Sequence, residues 1–292
     1  YNEDGMGLYN YRTSVALMAL AASDPVKHKD AIRKAQDYLA GTQRSEATGT
    51  PKTDVKYGGI GYGKDPGRND MSNLQIALQA LKESGYQNDE VFQRAAEFAA
   101  RSQNLQATNP VAKDPDAKVA VGNDGGFVYG PMQDAKDTRG PVEAGADGKP
   151  ALVSYGSMTY AGLLTMVYAK LTKEDPRVTA AMDWIRKHYT LEDNPGMATS
   201  EKPAAGKQGL YYYYLTFAKS MKAYGETHVE TPDKARHRWA EDLLGVLLKA
   251  QKPDGTWVNA DSERWMEGNP VLATSYALLA IQICSEDLAG GK

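Results

Sequence analysis

The segment Gln251-Lys252-Pro253-Asp254-Gly255-Thr256-Trp257, followed by an apolar run over 270–284, constrains this chain more than any other feature. Weaker copies of the same unit recur upstream. Each reads as a helix ending in Gln, a Gly/Asp turn with an aromatic, a variable loop and then an apolar helix. A repeat of this length is one supersecondary unit that cannot bury its own apolar face, so the copies must stack into a continuous body. Length alone, at 292 residues, would allow two domains. The repeat argues instead for a single domain over 1–292, carrying a long insertion at 105–152.

Ala and Leu at helical spacing define two kinds of helix. One kind is apolar over much of its surface and falls near 11–22, 70–84, 155–171, 210–224 and 270–284. The other carries a charged stripe and falls at 26–42, 89–103, 176–189 and 232–251. Apolar all round means burial and a charged stripe means solvent, so the sets alternate as inner and outer helices of stacked hairpins. Asp24-Pro25, Asp175-Pro176 and Thr231-Pro232 read as cap-plus-Pro helix starts. Gly85 and Gly225 read as C-terminal caps. No strand run stands out, and the Tyr/Gly segments at 57–63 and 127–130 read as turns or small ribbons.

Every outer-to-inner connection is long, at 44–69, 104–153, 190–209 and 252–269. Loops above about 12–15 residues are unusual without a role. These all join the same pair of ends and should gather on one face. The stretch 113–149, poor in apolar anchors, is expected to be partly mobile or to act as a lid. The chain begins at Tyr1, and residues 1–7 read as the tail of an earlier turn. A processed or truncated product, stripped of a targeting segment, would look like this. The compartment is therefore not legible.

The repeated unit resembles the QW-type repeat of the terpenoid cyclase and protein prenyltransferase superfamily. The resemblance rests on Trp239 to Gln251 leading into Asp254-Gly255-Thr256-Trp257, and on Phe98 to Gln103 leading into Asp124-Gly125-Gly126-Phe127. A third copy runs from Tyr38 to Gln43 and on to Gly58-Gly59-Ile60-Gly61-Tyr62-Gly63. A fourth, Trp184 to Tyr189, lacks the Gln. Nearly the whole chain is covered. It is similar in particular to prenyltransferase- or squalene-cyclase-like repeat proteins of planctomycete-type bacteria. The resemblance implies an all-α fold, an (α/α) toroid with inner helices around a central cavity. The last inner helix has no outer mate, so the ring is expected to be incomplete, or completed before Tyr1 or within the long loops. In such repeats Gln43, Gln103 and Gln251 would serve as staples across the next connection, with Tyr62, Phe127 and Trp257 packing over the Gly turns.

Chemistry is less legible. The resemblance implies an acidic motif at the start of an inner helix, and the matching window is Asp70-Met71-Ser72-Asn73. Asp70 stands at its first acidic position and is the one candidate catalytic acid, with helix capping as its plainer role. Ser72 and Asn73 stand where the proton donors would be, and neither is a strong acid. Zinc prenyl transfer needs Asp, Cys and His ligands. The single Cys284 lies late in the last inner helix, and none of His28, His188, His228 and His237 is on an inner helix. No metal and no cofactor are expected.

What remains is a polar, Tyr-rich set at the inner-helix openings, with 18 Tyr against 4 Phe. The candidate ligand-binding residues are Tyr11, Arg12, Asn73, Gln75, Tyr155, Ser157, Tyr160, Tyr211, Tyr212, Tyr214, Asn269 and Thr274. Of the run Tyr211–Tyr214, helix geometry turns about half toward one cavity. Such a mouth suits a polar or glycan-like small molecule by stacking and hydrogen bonding, or a carbocation by aromatic faces. The net charge of −3 with dispersed Lys and Arg argues against nucleic acid. The lack of about 18 consecutive apolar residues argues against a transmembrane segment.

Three functions stay open. One is a squalene cyclase/prenyltransferase-like toroid acting on isoprenoid-type substrates. The second is a saccharide- or other polar-ligand binding or lyase-type toroid. The third is a non-catalytic scaffold that binds a protein partner through the long-loop face.

Overall fold

The computed structural model describes residues 7–63, 69–131, 140–145 and 148–290. The expectations placed on residues 1–6, and on 132–139 and 146–147 of the insertion, lie outside the described residues. Among those described there are nine α-helices. Five form an inner series: α1 (Tyr9–Ser23), α3 (Met71–Glu83), α5 (Gly156–Tyr168), α7 (Leu210–Tyr224) and α9 (Pro270–Gly290). Each packs on the next, α1 on α3, α3 on α5, α5 on α7 and α7 on α9. Four outer helices, α2 (Lys29–Thr42), α4 (Asp89–Arg101), α6 (Pro176–Lys187) and α8 (Trp239–Ala250), lie against them. The fold is the all-α toroid that the repeat implies.

Burial follows position in the series. The middle inner helix, α5, is buried without a break from Gly156 to Met166, because it has inner neighbours on both sides. The two end helices are covered on one side only. α1 buries Asn10, Ser14 and Leu17 against α3 while Val15 stays 53% exposed. α9 buries Ala273, Ala277, Ala280 and Cys284, and its opposite stripe leaves Val271, Leu278 and Leu279 exposed. At 100° per residue these stripes point away from the inner neighbour, so no described inner helix covers either of them. By length and composition α9 would also pass as a membrane span. Its buried face is accounted for by α7 and α8.

The Gln residues staple one repeat to the next. Gln43 donates through Nε2 to Gly58 O (3.1 Å) and to Val91 O (2.8 Å) in the first turn of the next outer helix. Gln103 repeats this with Gly125 O (2.9 Å) and Arg177 O (2.8 Å). The turn glycines are fixed by the same packing. Gly58 and Gly125 have φ of +82° and +85°, and a Cβ on either would collide with a backbone carbonyl, of Arg94 on α4 or Ala180 on α6. In the copy that lacks Gln, Tyr189 takes over and donates to Asp242 Oδ2 (2.8 Å) in the first turn of α8. Gln251 has no following outer helix. It is exposed and bonds only its own turn, at Gly255 O (3.0 Å).

The long connections gather at the inner-helix N-termini, each satisfying a free N–H of the repeat before it. Asn10 N donates to Tyr62 O (3.2 Å), Met71 N to Tyr129 O (2.8 Å) and Gly156 N to Pro195 O (2.8 Å). The aromatics hold the same ends: Phe127 N donates to Thr159 Oγ1 (3.0 Å) and Trp257 N to Thr274 Oγ1 (3.0 Å). Within the insertion the described part is anchored by buried Val111 and Val119, with Val55, Ala117, Val121 and Leu152 against them.

Two expectations need correction. Strands do occur, as antiparallel ribbons: β1 (Val142–Ala144) with β2 (Pro150–Leu152), and β3 (His228–Glu230) with β4 (Arg236–Arg238). The second replaces the expected start of the last outer helix at Pro232. Thr231 Oγ1 donates to Asp233 Oδ1 (2.6 Å), Lys234 N donates to Thr231 O (2.9 Å), and Lys234 takes φ of 71°. Pro232 thus sits in a tight turn, a place that suits its fixed φ as well as a first helical turn does. Asp24 likewise accepts from Val26 N and Lys27 N to make a turn before α2, whereas Asp175 does cap its helix at Arg177 N.

The staples predict unequal costs. Gln103→Ala removes two buried hydrogen bonds between repeats and should cost about 2–3 kcal/mol. Gln251→Ala should cost less than about 1 kcal/mol, since water replaces its one bond. Urea unfolding of the two variants measures the difference.

Candidate functional site

The inner-helix N-termini and the long connections bring a set of polar side chains together, a cluster termed the mouth. At its base is α3. Asp70, 2% exposed, is the N-cap residue of that helix. Its Oδ1 accepts from Asn73 N (2.8 Å) and its Oδ2 from Asn73 Nδ2 (2.9 Å). The candidate acid thus works as an acceptor at both oxygens, and its capping role is realised.

Above it runs a chain of hydroxyls. Ser72 Oγ donates to Tyr212 Oη (2.7 Å), and Tyr11 Oη is bonded to Ser72 Oγ. A serine hydroxyl has one proton, so Tyr11 is the donor to Ser72 and the chain runs Tyr11 to Ser72 to Tyr212. Tyr212 receives, and its own O–H has no acceptor among the described residues. Tyr276 stacks edge-on against Tyr212 at 6.2 Å between ring centroids. Tyr62 and Tyr129 pair through their hydroxyls (2.8 Å), and the Tyr62 ring lies 6.3 Å from that of Tyr11. Burial, with the carboxylate of Asp70 and the neighbouring phenols behind it, pushes the hydroxyls of Tyr11, Tyr129 and Tyr155 well above the usual phenol range. Tyr276 is pushed up to about 12, again mainly by burial. These phenols stay protonated at neutral pH and act as neutral donors.

Tyr11, Tyr212 and Tyr276 are walled in by protein, yet each keeps accessible surface. The axis is not apolar. Below the Ser72–Tyr212 rung, Lys219 Nζ donates to Gln79 Oε1 (2.8 Å), again from α7 to α3. Gln75 Nε2 donates to Gln79 Oε1 (3.2 Å) and Gln79 Nε2 to Glu83 Oε1 (2.6 Å), an amide ladder down α3.

Of the residues picked out by sequence, the structure brings Tyr11, Asp70, Asn73, Gln75, Tyr155 and Tyr212 to this axis. Arg12 is half-buried on α1 beside them. The others are engaged elsewhere. Ser157 N donates to Asn194 Oδ1 (2.9 Å), which holds the start of α5. Tyr160 packs on Tyr213 and Phe217, at 5.8 and 4.9 Å between centroids. Tyr214 Oη donates to Leu191 O (2.7 Å), and Tyr211 stacks edge-on with Tyr214. Asn269 Oδ1 accepts from Val271 N (2.9 Å) as a cap of α9. Thr274 holds Trp257. Of the four consecutive tyrosines one, Tyr212, reaches the axis.

Four residues of the mouth escaped the sequence reading as site residues: Ser72, Tyr129, Tyr276 and Glu267. Glu267 is 1% exposed and comes from the connection between α8 and α9. Its Oε1 accepts from Tyr212 N (2.8 Å) and its Oε2 from Asn259 Nδ2 (2.8 Å). It does for α7 what a carbonyl does for the earlier inner helices, and a carboxylate at a helix N-terminus is favoured by the dipole. The connection is strained to place it. Trp265 and Met266 take φ of 57° and 66°, a cost of roughly 1–3 kcal/mol each. The Trp265 ring covers Gly209, whose φ is +65° and where a Cβ would meet that ring. Only position, not residue type, could have flagged Glu267.

No family model and no curated protein matches the chain. Among solved structures, the apo form of the type II terpene cyclase MstE from Scytonema is similar, at 13% identity and a TM-score of 0.35, over 95% of this chain and 89% of that one. The likeness is a distant one of helical architecture, and nothing about activity is carried over from it.

Burial raises the Glu267 carboxyl above its ordinary 4.5. The folded state therefore holds this proton more tightly than the unfolded chain does. Its contribution to stability falls as pH rises from 4.5 through the folded titration. Urea unfolding across that window should show a fall in wild type relative to Glu267→Gln, which cannot titrate.

Proposed function

We propose that the chain binds a polar, hydroxylated small ligand of the saccharide class at the tyrosine mouth. The observation that carries this reading is the set of unspent hydroxyls. Tyr155, Tyr212 and Tyr276 have no hydrogen-bond acceptor for their protons among the described residues, and Tyr212 stands beside Tyr276 and near Tyr155. Shielded donors whose only other partner is water are ones that a ligand rich in oxygen acceptors can take up. Aromatic rings beside hydroxyl donors also suit the alternating C–H and O–H faces of a sugar. The polar rungs across the axis support a polar ligand over a long apolar one.

The isoprenoid reading, implied by the repeats, has one observation in its favour. Tyr11, Tyr129, Tyr155 and Tyr212 stand near the Asp70 carboxylate, an arrangement that would stabilise a cation. A scaffold reading rests on the exposed Trp265 and Met266 of the loop face. Neither uses the unspent hydroxyls.

The test is calorimetric titration with a panel of mono- and oligosaccharides, beside farnesol as an isoprenoid probe. Saccharide binding should weaken about 5–10-fold in Tyr212→Phe, the worth of one hydrogen bond. It should be unchanged in Tyr214→Phe, whose hydroxyl bonds Leu191 O away from the axis. Binding of farnesol alone, insensitive to Tyr212→Phe, would overturn the saccharide reading.

A further inference from the structure

Lys219 is a cation on the ring axis that the mouth does not use. It sits seven residues below Tyr212 on the same face of α7, about 10 Å deeper at ~1.5 Å per residue. Like Tyr212 above it, it is half-buried and keeps some accessible surface. Its ammonium has three donors, and one is spent, on the neutral amide oxygen of Gln79 (2.8 Å). No carboxylate pairs with it directly. Glu83 is one amide away, its Oε1 taken by Gln79 Nε2 (2.6 Å). Burial without a direct counter-ion lowers the Lys219 amine from its ordinary 10.5 to about 8, with Glu83 pulling the other way.

A largely buried ammonium with one hydrogen bond to a neutral amide and no carboxylate in direct contact among the described residues is poorly compensated, and an incoming anion repairs it. A purely structural lysine would reach a carboxylate or snorkel to solvent. This one is held short of Glu83 by the Gln75–Gln79 amides, which aim it across the axis.

We propose that Lys219 is the anchoring point for an oxyanion, a carboxylate or phosphate group, inside the ring and below the tyrosine mouth. This deepens the proposed function: the ligand whose hydroxyls meet Tyr155, Tyr212 and Tyr276 is acidic, of the uronate or sugar-phosphate class. The inference rests on that reading for the rest of the ligand, not for the anion.

The experiment uses acetate and inorganic phosphate as probes on the full chain, at constant ionic strength, with thermal unfolding as the readout. The wild-type Tm should rise saturably with probe concentration at pH 7. The rise should vanish above about pH 9, where the amine has lost its proton. Lys219→Met and Lys219→Gln should show no rise, while Lys222→Met, at an exposed site on the same helix, should behave as wild type. Equal rises in wild type and both Lys219 variants, or no rise in wild type, would overturn the proposal. Folding of the variants is checked separately. Without probe, wild-type stability should climb between pH 8 and 10.5 as the buried charge is relieved, and Lys219→Met should lack that climb. A wild type that responds to anions and binds no saccharide would sink the proposed function and leave the Lys219 site standing.

Discussion

Two contacts across the ring axis set the shape of everything else. Ser72 meets Tyr212, and Gln79 meets Lys219. Both join α3 to α7, inner helices that α5 separates in the series. Five helices packed in a row could lie flat or curl, and apolar packing alone does not choose. The rungs require a curl tight enough that side chains meet from opposite walls. They also make the axis polar. A ring closed on apolar side chains would have a dry, plugged centre. This one has hydroxyls, amides and one ammonium along its middle, and groups of that kind need partners when enclosed.

The outer wall is held by a different device with the same logic. Each outer helix ends in a side chain that reaches the first turn of the next one, Gln43 to Val91 O, Gln103 to Arg177 O and Tyr189 to Asp242. A first-turn carbonyl already accepts from the N–H four residues on and takes the staple on its second lone pair, so the staple adds a directional bond that fixes one outer helix against the next. At α8, the last outer helix among the described residues, the device is half made. Gln251 bonds only its own turn, and α9 shows its apolar stripe. The inner-helix N-termini follow the same rule, each fed by the connection of the repeat that follows.

Much of this was legible because it is local and repeated. Gln, Gly and an aromatic at fixed offsets specify a turn and a staple wherever they occur, and small apolar residues against charged stripes separate inner from outer helices. The failures have physical causes. Thr231-Pro232 carries the same signature as a helix start, and the ribbon it forms depends on a partner strand six residues on. The rotation of α7 decides which of four tyrosines reaches the axis, and that rotation is fixed by Glu267 from a distant loop. Ser72 and Tyr212, or Gln79 and Lys219, meet only because the ring curls, and no local pattern announces a contact between elements that far apart. Lys219 on an inner helix reads as an ordinary snorkelling lysine until its partner is seen to be an amide.

The most direct test of this account is a double-mutant cycle between Ser72 and Tyr212, using Ser72→Ala, Tyr212→Phe and the pair, measured by chemical unfolding. If α3 and α7 meet across a polar axis, the two substitutions should couple by about 1 kcal/mol, the worth of the shared hydrogen bond. Effects that simply add, within about 0.3–0.5 kcal/mol, would mean the walls do not touch there, and both the curl of the ring and the mouth built on it would be contradicted.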